Sequence, residues 1–135
     1  MAYIQKEVSI DAPPERVWDA LSDWGALHER LVPGFVTDAR LDGEDRIVTF
    51  FNGAVVREVL VDLDERSKRL SWSIVEGPYT HHNGVAQVLS EGPGRTRFVW
   101  LADLLPNEAA PITEEMMGRG VQAVKQTLES EASSA

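Results

Sequence analysis

The chain has 135 residues, a length at which one domain buries roughly two-thirds of the surface its unfolded form exposes, so a core can form without a covalent staple. It contains no cysteine, which excludes disulfides, thiolate nucleophiles and cysteine-based zinc sites. The formal net charge of -9 repels phosphate backbones and anionic lipid surfaces, so nucleic acid is not an expected partner.

The opening residues MAYIQKEVSI carry no basic segment followed by an apolar stretch, and no run approaches the length of a membrane span. No membrane insertion and a cytoplasmic location are the expectations. Within that opening, YIQKEVSI alternates apolar and polar residues at period two, which suits a half-buried strand. DAPPERVWDALSDW then predicts a short helix, with Asp11 as cap, Pro13 and Pro14 in the first turn, and Val17, Trp18 and Leu21 as an apolar stripe. A second short helix is expected over 24–31, ended by Pro33 and Gly34, with His28 exposed on it.

From residue 35 the pattern becomes that of an antiparallel meander, with strands expected at 35–41, 46–51, 55–63, 69–76, 80–90 and 96–104. The connectors DGED, NGA, DERSK, GPY and EGPGR carry turn residues, and Asn52 with Gly53 fits a tight hairpin. The last element is a long helix after Pro111, capped by Thr113, with Met116, Met117, Gly120, Val121, Val124 and Leu128 on one face. Residues 1–131 read as a single ligand-binding domain and 132–135 as a frayed tail. The expected class is α+β: a seven-stranded curved antiparallel sheet, two short helices after the first strand, and a long terminal helix covering the apolar face. Curling such a sheet around the helix leaves a cavity between them, the natural ligand site.

Four stretches, VSIDAPPERVWDALSDW, VVREVLVDLDERSKRLSWSIVEG, GRTRFVW and GVQAVKQTLES, resemble the START-like or Bet v 1-like superfamily (SRPBCC), in its polyketide cyclase/dehydratase-related branch. The resemblance implies a helix-grip fold and a small-molecule cavity. Two departures are visible: Leu31 and Val32 stand where relatives often carry a tryptophan, and the gate-like hairpin is only FNGA.

His81 and His82 look like a metal pair, but neighbours on a strand face opposite ways, so no metal site is expected. His82, Gly84, Ala86 and Val88 form the smaller or more apolar set and suit the cavity face, with Gly84 and Ala86 leaving room for a ligand. The resemblance also places a ligand-contacting aromatic at the position of His82. For Glu58 the alternation is ambiguous, because Val55, Val59, Val61 and Leu63 form the more apolar face, whereas the resemblance implies a glutamate directed into the cavity.

Trp72, Ile74 and Phe98 are candidate walls, Trp100 is favoured as core, Met116, Met117 and Val121 form a candidate lid, and Gly120 allows either close approach to the sheet or room for a ligand. Three functions follow. The first is binding of a small, largely apolar molecule of lipid, polyketide or aromatic type. The second is a cyclase or dehydratase using His82 and Glu58 as acid and base, and the third an interaction module docking through Val99 and Leu101. No cofactor is expected, and the chain is expected to be a monomer or homodimer.

Overall fold

The computed structural model describes residues 1–134. Seven antiparallel strands form one sheet in the order β1-β7-β6-β5-β4-β3-β2. They are β1 (Ala2–Ile10), β2 (Val36–Asp42), β3 (Asp45–Phe50), β4 (Val55–Asp64), β5 (Arg69–Glu76), β6 (His81–Ser90) and β7 (Thr96–Leu105). A helix α1 (Pro14–Ser22) follows the first strand, and α2 (Ala110–Ser134), 25 residues long, closes the chain. This is the helix-grip arrangement: the core lies between the inner face of the sheet and the buried stripe Met117, Val121, Val124 and Leu128 of α2. Sequentially distant strands close the sheet, Ala2 pairing with Leu104 and Ile10 with Thr96. Lys125 fastens the helix to β1, donating to the Ser9 carbonyl at 2.7 Å and to Glu129 at 2.7 Å.

Several local expectations change. Asp11 is not the cap of α1; Pro13 holds that position without a side-chain bond, and the Asp11 amide donates instead to Glu129. The second short helix is a 3-10 turn (Trp24–Ala26) followed by a single π turn (Leu27–Leu31), closed by the Val32 amide on the Leu27 carbonyl. His28 on that turn is half-buried rather than exposed, its side chain 22% accessible. At the other end, α2 starts at Ala110, so Pro111 lies in its first turn, and the Thr113 hydroxyl donates to the Ala109 carbonyl rather than capping. The helix continues to Ser134, past residue 131; Ala135, the end of the expected tail, lies outside the described residues.

Gly120 of α2 packs against Trp100 of β7 and against Phe35. A β-carbon there would lie 2.5 Å from the six-membered ring of Trp100 and 3.3 Å from Phe35. In an exposed helix Gly→Ala gains about 1 kcal/mol. Here the clash reverses the sign: Gly120→Ala is expected to destabilise by about 1–3 kcal/mol, because both contacts are rigid ring edges. An unchanged or raised urea midpoint would contradict that packing.

Candidate functional site

A cavity of about 210 Å³ lies between the sheet and α2. Its walls are mostly apolar, built from Phe50, Trp72, Ile74, Phe98, Met116 and Met117 among others. Its solvent-exposed lining residues, Asn52, Ala54, Pro78 and Ile112, place the mouth between the β3–β4 turn, the β5–β6 loop and the start of α2. Beside it the Arg119 guanidinium lies 5.5 Å from the exposed Phe51 ring, linking helix to turn.

Glu58 faces inward, and two bulges explain why simple alternation left its facing open. Between β4 and β5 the register skips Val75 on one side and Val61 on the other, so that Glu58 pairs with Ile74, Leu60 with Trp72 and Leu63 with Leu70. The skipped valines point out, 53% and 58% exposed, and the inner face becomes Val56, Glu58, Leu60 and Leu63. Directly opposite Glu58 on β3 stands Arg46, whose Nε donates to the carboxylate at 2.7 Å. Arg46 also donates from Nη1 to the Trp24 carbonyl and stacks 3.6 Å from the Trp24 ring centre. The two side chains are 5% and 7% accessible, and burial lowers the guanidinium pKa against the opposing pull of Glu58.

His82 is buried and lines the cavity; His81 is on the opposite face, 3.2 Å from Asp103. The β5–β6 pairing ends at Trp72 and Gly84, and beyond it His82 Nδ1 accepts the Ile74 amide at 3.2 Å, taking over from a backbone carbonyl. An Nδ1 acceptor leaves the proton of the neutral ring on Nε2. Burial pushes the His82 pKa down to about 4, with Asp103 opposing and His81 assisting. Tyr79, its ring centre 4.9 Å from that of His82, reaches across to α2. Since the Thr113 hydroxyl is already donating to Ala109, Tyr79 is the donor in its 2.7 Å bond to Thr113. Burial raises the Tyr79 pKa. Among the described residues no group of three or more His, Asp or Glu side chains is placed to hold a metal ion, and no helix is long and apolar enough to cross a membrane.

Of the sequence candidates, the cavity brings together Glu58, Trp72, Ile74, His82, Ala86, Phe98 and Met117. Gly84, Val88, Gly120 and Val121 are not on its lining. Gly84 does not leave room for a ligand, because Trp72 occupies it: a β-carbon there would lie 2.6 Å from the indole. Gly120 serves Trp100 in the same way, while Val88 and Val121 are packed in the core. Sequence reasoning missed Arg46, Tyr79 and Thr113. A tight turn at Asn52 and Gly53 would set Arg46 against Val59, whereas the observed register pairs Thr49 with Val55 and so brings Arg46 opposite Glu58.

No curated protein sequence matches the chain significantly. Among solved structures, one from Thermobifida fusca has 28% identity and a TM-score of 0.76, covering 96% of this chain and 91% of that one. A START superfamily protein from Mycobacterium smegmatis has 14% identity and a TM-score of 0.74, covering 98% and 97%. A point mutant of norcoclaurine synthase from Thalictrum flavum has 17% identity and a TM-score of 0.73, covering 96% and 95%. The last two show the shared fold alone. The family described as polyketide cyclase/dehydrase and lipid transport matches residues 1–132, nearly the whole of the chain whose cavity has just been described. The chain belongs to that family.

Proposed function

We propose that this protein binds a small, largely apolar molecule, of lipid, polyketide or aromatic type, in the cavity between the sheet and α2. The observation that carries this reading is the cavity wall: apolar and aromatic over most of its area, with its one buried cation and one buried anion, Arg46 and Glu58, already bonded to each other. A wall without uncompensated charge favours an uncharged ligand. Its volume lies below the roughly 300–1,000 Å³ of pockets that hold drug-sized ligands, which favours a compact molecule.

The same features weigh against acid–base catalysis by His82 and Glu58. A general base works best with a pKa near the working pH, and His82 at about 4 holds a proton poorly. Glu58 is committed to Arg46. Docking through the outer sheet face has less support, because Val99 and Leu101 are half-buried and Val99 sits between Glu7 and Gln87. The test is native mass spectrometry of protein from several hosts, with a melting screen of lipids, aromatics and polyketides. A bound mass, or stabilisation approaching about 2.7 kcal/mol at a hundredfold excess over Kd, is expected. No bound mass together with no shift would refute the reading.

A further inference from the structure

Hydrogen-bond donors without a protein partner line one wall of the cavity. Trp18 and Trp24 spend their indole N–H groups on Glu65 and on the Glu44 carbonyl, but among the described residues no hydrogen bond engages the indole of Trp72 or Trp100. The Trp100 nitrogen is fully buried without a partner. Trp72 lies flat on Gly84, its Nε1 3.0 Å from where a β-carbon would stand. His82 is two residues earlier on the same face of β6, and with Nδ1 occupied by Ile74 its Nε2–H is the group left for the cavity. Residues two apart on a strand are about 7 Å apart, within the span of one small molecule. Glu58 accepts from Arg46 through Oε1, and the Tyr79 hydroxyl, having spent its proton on Thr113, has none to offer a ligand.

We propose that the ligand is an uncharged carbonyl compound, such as a ketone, lactone or ester, whose oxygen is held by the N–H groups of Trp72 and His82. This rests on the binding reading above and sharpens it. Donors that lose water on ligand entry without gaining an acceptor are penalised, so the ligand is selected for what it accepts. The neighbouring glycine belongs to the same device: only without a side chain at position 84 can the indole and its nitrogen lie against the strand that carries His82.

Tetralin and 1-tetralone share a skeleton and differ in one carbonyl, and their affinities can be compared by NMR titration of the intact protein. The ketone is expected to bind about tenfold tighter, with the carbonyl stretch of the bound molecule lowered in the infrared. Trp72→Phe and His82→Leu should each cut that ratio by about three- to tenfold. Equal affinity for the two compounds in the unmodified protein overturns the carbonyl assignment and leaves the binding reading standing. A tenfold preference retained by both variants also overturns it, by placing the oxygen elsewhere. Should His82→Leu fail to fold, Trp72→Phe and the infrared shift decide. Binding of neither compound at millimolar concentration counts against the carbonyl assignment, while the ligand screen tests the binding reading separately.

Discussion

Replacing Glu58 with leucine is expected to lower the unfolding free energy by about 3–5 kcal/mol. The loss comes less from the 2.7 Å bond itself than from what remains: an Arg46 guanidinium 5% accessible, stacked on Trp24, with no anion beside it. Arg46→Met should cost a similar amount by leaving the carboxylate behind. The double variant, Arg46→Met with Glu58→Leu, should regain most of the loss, because two apolar side chains in an apolar wall need no partners. Urea unfolding of all four proteins gives the coupling directly. A single-variant cost below about 1 kcal/mol, or strictly additive costs, would show that the pair is not the buried unit its geometry describes.

Acid should weaken the protein through His82. The folded chain keeps this imidazole neutral down to about pH 4, whereas an unperturbed histidine in the unfolded chain takes up its proton near 6.5. Below pH 6.5 the unfolded chain therefore binds the extra proton first, and stability falls as pH drops towards 4, by about 3 kcal/mol over the whole window. His82→Gln offers the Ile74 amide a non-titrating acceptor. Between pH 7.5 and 5 the unmodified protein should lose about 2 kcal/mol more than this variant. Parallel stability curves would mean that protonated His82 is accommodated without opening the fold.

The sheet, its meander and the terminal helix were legible because each strand carries its own period-two pattern between turn residues and the helix its own apolar stripe. The inward facing of His82 was legible for the same reason, since small and apolar partners alternate with it along β6. What failed were positions where parity is broken or a space is filled by a distant side chain. The facing of Glu58 could not be settled by alternation because Val61 and Val75 drop out of register, and bulges leave no mark in a run of valines. Gly84 read as open space, but emptiness at one residue depends on whether Trp72, on the neighbouring strand, lies down over it. Thr113 looked like a cap by composition, and only the preceding 3-10 turn (Asn107–Ala109) shows that the helix has already started. The second short helix matched in position but not in kind, since nothing in LHERL distinguishes a π turn from an α one.

The pairing of β1 with β7 carries a consequence for how the chain is made. The first strand can find its hydrogen-bonding partner only when residues 96–104 exist, and at about 5–20 residues per second a ribosome takes several seconds to supply them. Until then β1 has one prospective neighbour unsynthesised, and the growing meander β2 to β6 stands without the strand and helix that close it. Loop closure over most of the chain places this protein with slow-folding, non-local topologies rather than with helical bundles. The cavity, bounded by strands from β2 to β7 together with α2, is accordingly among the last features to exist in a newborn molecule.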